Sequence, residues 1–538
     1  MLDEISPLEQ ALASLSLSLP DILQDVDQVE FKKEEVCVTA SIAALFPQLG
    51  QAYLLQGTKG RGSPSRAMRV GVVLSGGQAS GGHNVIAGLF DALKAFDQRS
   101  ELIGFLHGPS GVVDGSYKIL CKDLIARYRN QGGFDLLGSG RTKIETKEQL
   151  QAALYHVEAL QLDGLVFIGG DDSNTNAAVL AEYFLARECK TCVIGVPKTI
   201  DGDLQNAHVP ISFGFDSACK VYGEMIGNIA RDALSAQKYY HFIKLMGRSA
   251  SHITLECALS TRINWAFIGE EVADKQMTFK QVIAEVCDMI CERASSGKDY
   301  GVLLIPEGLV EFIPEIKMLI EELNICLVGK ISVDVQQILR ELSASAAACF
   351  ASFPESIQKQ MLLGRDPHGN VHLSMIETEK LISQAVHQEL MLRKAAGLYQ
   401  GQFQAVEHFF GYEGRCGMPS LFDAHYCQAL GYSAALLLRA GMTGYMSFIS
   451  QLHEPVAHWQ VGGTPFVSLM DLELRHGKQK PVIKKTLVDL QGRPFQCYKE
   501  HRGRWRYEDV YRYPGPIQYY GPETISLSIP MTMKLRQQ

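Results

Sequence analysis

The stretch MRVGVVLSGGQASGGHNVIAGLFDALKAF, residues 68–96, decides the fold. Its first part is a short apolar run ending in glycines, the pattern of a buried parallel strand. Its second part, HNVIAGLFDALKAF, reads as a helix. The unit then repeats outward along the chain. ELIGFLHG (101–108) reads as strand, TKEQLQAALYHVEAL (146–160) as helix and DGLVFIGG (163–170) as strand. TNAAVLAEYFLAREC (175–189) reads as helix and TCVIGVP (191–197) as strand. Such alternation predicts a doubly wound parallel sheet. It resumes with YHFIKLMG, WAFIGEEV, FKQVIAEVCDMICERA and YGVLLIPEG, and again with QAVEHFFGYEG and LFDAHYCQALGYSAALLLRAG.

The expected fold class is α/β: two Rossmann-like doubly wound lobes with a mainly helical insertion and terminal extensions. Residues 1–66 read as a helical extension closing in the polar GTKGRGSPSR, and 67–240 as the first lobe. Residues 241–312 and 396–450 read as the second lobe. Residues 313–395, with EIKMLIEELN and ETEKLISQAVHQELMLRKA, read as the insertion. Residues 451–538 hold Pro, Gly and aromatics in short runs, and are expected to wrap over the core.

The length of 538 residues allows two or three domains. Net charge is 51 minus 59, or −8, which argues against nucleic acid or a membrane surface as partner. The thirteen cysteines are odd in number and scattered, so they read as reduced thiols. The one CxxC, Cys189–Cys192, lacks the second pair that zinc would want, and Cys416 reads as a small core residue. The start, MLDEISPLEQ, has neither the basic region nor the apolar run of a signal peptide. The most apolar stretch, GYSAALLLRAGMTGYMSFI, is broken by Arg439 and glycines. A cytoplasmic location is expected.

Every chemical signal follows an apolar strand, where open α/β sheets bind ligands. Ser75–Gly82 is glycine-rich, which lets backbone N–H groups approach a phosphate next to a helix N-terminus. It matches neither the P-loop nor the dinucleotide fingerprint, and a tight strand–helix turn explains it as well. Gly169–Thr175 carries adjacent acids, Asp171 and Asp172. Asp171 suits a Mg²⁺ anchor, because that ion takes one or two carboxylates plus substrate phosphates; a helix N-cap would need only one acid. Pro197–Asp203 offers Lys198, Thr199, Asp201 and Asp203. A carboxylate facing a sugar hydroxyl can serve as general base, and an Asp-Gly turn is the bland alternative. Three such loops on successive units place phosphate, metal and base on one sheet edge.

These residues resemble the phosphofructokinase family. The matching motifs are GGxxxGGxN at Gly76–Asn84, GGDD at Gly169–Asp172, PKTIDGD at Pro197–Asp203, GFDSA at Gly214–Ala218 and MGR at Met246–Arg248. PEG at Pro306–Gly308 and GYEGR at Gly411–Arg415 also match. RDPHGN at Arg365–Asn370 and ETEKL at Glu377–Leu381 are similar to the long, pyrophosphate-dependent form found in plants and some bacteria. The resemblance runs over about residues 68 to 450. Where the family often shows His-Pro-Asn, this chain has Ser260–Phe267.

The resemblance implies transfer of a phosphoryl group from pyrophosphate to fructose 6-phosphate. It places pyrophosphate against Gly77 and Arg141, and Mg²⁺ on Asp171. Asp201 becomes the base, with Asp203 supporting. Thr199, Asp201, Met246, Gly247, Arg248, Glu307, Tyr412 and Arg415 become contacts of the sugar phosphate. Lys238 and Tyr239 match a position that reaches the substrate from a neighbouring subunit, which implies a homodimer with shared active sites. Asp172, where ATP-using relatives usually have glycine, and Lys198 imply pyrophosphate as donor. The rivals are an ATP-dependent phosphofructokinase and a non-catalytic regulatory subunit. An NAD or lipid kinase lacks PKTIDGD and GYEGR, and a nicotinamide dehydrogenase has different glycine spacing.

Overall fold

The computed structural model describes residues 6–50, 52–327, 335–363, 371, 375–475 and 478–538. The RDPHGN segment lies outside them. The chain divides into two compact units. The first is Met1–Ala218 with Arg415–Thr486 and Gln518–Ile529, and the second is Cys219–Gly414 with Leu487–Ile517 and Pro530–Gln538.

Strands β1 (Val29–Glu35), β2 (Tyr53–Lys59), β3 (Arg69–Leu74), β4 (Glu101–Phe105) and β5 (Tyr117–Leu120) open the first unit. β6 (Gly164–Gly169), β7 (Cys192–Thr199) and β8 (Phe213–Gly214) follow. The second unit holds β9 (Tyr239–Leu245), β10 (Trp265–Ala266), β11 (Tyr300–Pro306) and β12 (Ala405–Phe410). The chain then returns to the first unit for β13 (Tyr445–Ser450), β14 (Gln460–Pro465), β15 (Met470–Arg475) and β16 (Lys478–Ile483).

The first unit is built on one sheet in the order β1-β2-β14-β13-β7-β6-β3-β4-β5, with β8 beside β7. Its centre, β13-β7-β6-β3-β4, is parallel. β3 and β6 are buried nearly throughout, which is why they read as continuous apolar runs. Val73, Phe105, Phe167, Val193, Met446 and Phe466 belong to the core of this unit. The second unit has the parallel sheet β10-β11-β9-β12. Its core joins Phe242 and Leu303 to Leu323, Phe350 and Val386 from helices over residues 314–395.

Several expectations need correction. Residues 219–240, expected in the first lobe, belong to the second unit. The extension 1–66 is not only helix and loop: β1 and β2 pair antiparallel, and β2 joins the main sheet through β14. β1 is VEFKKEE, whose polar face hides it from an apolar-run search. Helix Leu421–Arg439 and β13, expected in the second lobe, belong to the first unit, where the helix packs on Gly82–Phe96 and β13 pairs with β7. β14, expected within a wrap, is a strand of the same sheet. Cys416 is exposed, and no disulfide forms among the described residues. Among them no helix is long and apolar enough to cross a membrane. Asn264, in the Ser260–Phe267 departure, bonds Trp505, Val302 and Tyr511, so that segment is fitted to the helix Arg493–Tyr507 and the chain after it.

Candidate active site

In the first unit, strand register brings the three glycine and acid loops to one edge. Leu74 pairs with Ile168, and Gly169 pairs with Pro197, so β3, β6 and β7 end level. Ser75 N–H donates to Ile168 O (2.9 Å), and Gly76 N–H donates to Gly140 O (2.9 Å), which ties the SGRTK segment to the same turn. Ser173 Oγ donates to Ser75 Oγ at 2.8 Å, joining the first two loops.

The turn at Gly76–Gly77 is walled by cations. Gly76 has φ +85°, and a Cβ there would stand 3.2 Å from Lys198 Nζ. A Cβ at Gly77 would stand 3.7 Å from both Arg141 Nη2 and Arg415 Nη1. Arg415 Nη2 also donates to Gln78 Oε1 (2.7 Å). Lys198 is buried, and burial lowers its pKa to about 8; Arg141 and Arg415 add to that shift, while Asp201 and Asp171 oppose it. Two guanidiniums and an ammonium around two glycines form a cradle for a polyanion.

The carboxylates face their own cations. Asp172 meets Lys143 at 3.2 Å. Lys485 Nζ lies 3.6 Å from Asp171 Oδ2 and 3.7 Å from Asp203 Oδ2. Burial raises the Asp171 pKa, with Asp172 and Asp203 adding and Lys485 opposing. Asp201 N–H donates to Thr199 Oγ1 (3.1 Å), and Thr486 N–H donates to Asp203 O (2.7 Å), which shapes the PKTIDGD turn. Among the described residues no three metal-ligating side chains converge. Asp171 and Asp203 nevertheless hold an ammonium between them, so the donor set fits a hard divalent cation drawing its other ligands from phosphate and water.

In the second unit the strands also end level: Leu245 pairs with both Pro306 and Phe410. Met246-Gly247-Arg248, Glu307 and Gly411-Tyr412 therefore leave one sheet edge together. Glu307 N–H donates to Leu245 O (2.9 Å), and Gly308 N–H to Gly247 O (3.3 Å). A Cβ at Gly308 would overlap Arg248 O at 1.9 Å, so PEG and MGR interlock only with glycine there. Glu307 is buried; Tyr412 is exposed. Lys238 and Tyr239 stand at the opposite end of β9, exposed, and roughly 20 Å along the strand from Met246.

Sequence reading thus named the residues of both edges and missed Lys143 and Lys485. Lys143 was within reach, two positions after Arg141 in SGRTK. Lys485 carried no local signal: it enters from the segment after β16.

Acids and cations on a level parallel-strand edge define a phosphoryl-transfer protein of the open α/β class. The sequence model of the phosphofructokinase family, "Phosphofructokinase", matches residues 69–438, and the chain belongs to that family. It is 54% identical over 484 residues to the pyrophosphate–fructose 6-phosphate 1-phosphotransferase subunit beta of Solanum tuberosum, spanning 89% of this chain and 85% of that one. It is 47% identical over 543 residues to the pyrophosphate–fructose 6-phosphate 1-phosphotransferase of Porphyromonas gingivalis, spanning 99% of each chain. Among solved structures it resembles the pyrophosphate-dependent phosphofructokinase from Nitrosospira multiformis. The TM-score is 0.54 at 15% identity, over 83% of this chain and 93% of that one, a likeness of fold.

Proposed function

We propose that this chain transfers a phosphoryl group reversibly between pyrophosphate and the 1-hydroxyl of fructose 6-phosphate, giving fructose 1,6-bisphosphate and phosphate. The observation that carries the reading is the cradle at Gly76–Gly77, where Lys198, Arg141 and Arg415 converge beside the acids of GGDD and PKTIDGD. Phosphoryl transfer needs positioning and charge neutralisation more than covalent help.

Gly77 and Arg141 hold pyrophosphate, and Lys198 sets positive charge at the transferring group. Asp171 holds Mg²⁺, which when bound supplies further charge neutralisation to the donor phosphates. Asp201 takes the proton from the sugar hydroxyl, and Asp203 supports it. Thr199, Met246, Gly247, Arg248, Glu307 and Tyr412 bind the sugar phosphate. Arg415 contacts the same substrate from its place on the Gly77 turn. Lys238 and Tyr239 serve the site of a second subunit in a cytoplasmic homodimer: in their own chain they stand at the far end of β9 from Met246.

The test is turnover of fructose 6-phosphate by the purified chain with Mg²⁺ and either pyrophosphate or ATP. Turnover with pyrophosphate alone is expected. Turnover only with ATP overturns the donor assignment, and none with either donor makes the chain a non-catalytic subunit.

A further inference from the structure

Lys485 is held from both sides by the elements that carry the acids. Before it, Ile483 N–H donates to Thr175 Oγ1 (3.0 Å) on the helix that begins at Asp171. Lys484 N–H donates to Leu469 O (3.0 Å). After it, Thr486 N–H donates to Asp203 O (2.7 Å), and Thr486 Oγ1 donates to Gln205 O (2.6 Å). The backbone on either side is therefore fastened to the GGDD helix and the PKTIDGD turn. Lys484, the neighbour, is exposed. At 3.6 and 3.7 Å, the Lys485 ammonium is ion-paired with both Asp171 and Asp203.

We propose that Lys485 is the resident counter-cation of this acid pair and competes with the divalent metal for Asp171. This rests on the phosphotransferase reading, in which Asp171 is the metal residue. A divalent ion on Asp171 and an ammonium beside it have the same sign and share one carboxylate. Metal alone must therefore displace Lys485. Metal arriving with pyrophosphate brings an anion toward which the ammonium can turn. Lys485 is thus a positioning residue: it keeps Asp171 and Asp203 together between turnovers and makes metal binding depend on the donor.

The experiment is calorimetric titration of Mg²⁺ into the full chain, with and without pyrophosphate. The proteins are wild type, Lys485→Met, Lys485→Gln, Lys485→Arg and Lys484→Met. Losing the competing cation should tighten binding of Mg²⁺ alone about tenfold in Lys485→Met and Lys485→Gln. The enhancement of metal binding by pyrophosphate should shrink correspondingly. Lys485→Arg and Lys484→Met should stay near wild type. A merely structural lysine predicts the opposite sign, because a disordered acid pair binds metal more weakly. Unchanged or weaker Mg²⁺ binding in both neutral variants, with wild type still turning over fructose 6-phosphate, overturns the role of Lys485 alone. No Mg²⁺ binding and no turnover in wild type overturns the function as well. The two neutral variants are run together, with thermal unfolding of each, so that misfolding of one does not decide the result.

Discussion

Asp172 meets Lys143 at 3.2 Å, with 44% of its side chain exposed, so its charge is partly neutralised and partly screened. Two like charges about 4 Å apart repel by roughly 1 kcal/mol in water and several times more in a partly buried cleft. On the proposed function, Asp172 would act against a nucleotide by bulk as well as by charge. Asp172→Gly should raise kcat/KM for ATP and lower it for pyrophosphate. Lys198→Gly should mainly cripple pyrophosphate use, because it empties a buried cation position beside Gly76. The pair borders one site, so the double variant should not be additive. The readout is the ratio of the two kcat/KM values across the four proteins; a ratio held within about tenfold, or about 1.4 kcal/mol, removes both residues from donor choice. Asp201 is tested separately. Asp201→Asn should lower kcat by about 10²–10⁴-fold with little change in donor affinity, and near-normal kcat would take the base role from it. At this scale the sequence was legible where partners are local, as with Asp201 and Thr199, and illegible for Lys485, whose partners come from other loops.

GFDSA and ETEKL, which the sequence offers as family motifs, act here as anchors between elements. Asp423, near the start of helix Leu421–Arg439, accepts from Gly214 N–H (3.2 Å), Ser217 N–H (2.9 Å) and Ser217 Oγ (2.6 Å). Ser420 Oγ donates to Asp216 (2.5 Å). Burial first, and Asp216 second, push the Asp423 pKa up to about 7. A carboxyl whose folded pKa is raised favours the folded state below its unfolded pKa, and that contribution is lost as pH rises through the folded value. Thermal stability should therefore fall between about pH 4 and 7, at up to about 1.4 kcal/mol per unit from this group. Asp423→Asn should flatten that slope, and an unchanged slope would show that Asp423 is not its source. In the second unit, Glu379 of ETEKL is buried against Lys244 of β9 (3.2 Å), whose ammonium also donates to Ile376 O (3.0 Å). Removing one partner strands a buried charge and typically costs about 3–5 kcal/mol, whereas replacing both by apolar groups is often neutral. Glu379→Ala should lower the unfolding temperature more than the double Lys244→Met, Glu379→Leu. The opposite order would mean that the ion pair itself, not the stranded charge, sets stability. Neither anchor was readable in advance, since each joins residues distant along the chain.

Across the whole molecule, the order of strands in sequence was legible and their order in the sheets was not. β3 and β6 announce themselves as apolar runs with glycine ends, and β7 as an apolar run that reaches Pro197. β2 and β14 enter the same sheet through long-range pairings such as Leu55 with Gly463, which no local pattern encodes. The same gap between local and distant bears on Lys238 and Tyr239. The motif assigns them to the sugar phosphate, yet they open β9 while Met246–Arg248 close it, about seven residues of extended chain apart. Such a strand is rigid, so an exposed Lys238 cannot fold back along it to the loop beyond Leu245. If Lys238 serves a site, that site takes its Met246–Arg248 from another copy. Lys238→Ala and Asp201→Ala should each be poorly active alone. In a mixture, heterodimers would contain one site with both lesions and one with neither, so mixing equal amounts should return a fraction of wild-type activity bounded by the share of heterodimer. Subunit exchange is followed with two different affinity tags, and activity is read on the doubly tagged fraction. Activity there no higher than in either parent would assign Lys238 and Asp201 to the same site, and the shared-site reading would fail while the chemistry of Asp201 stood.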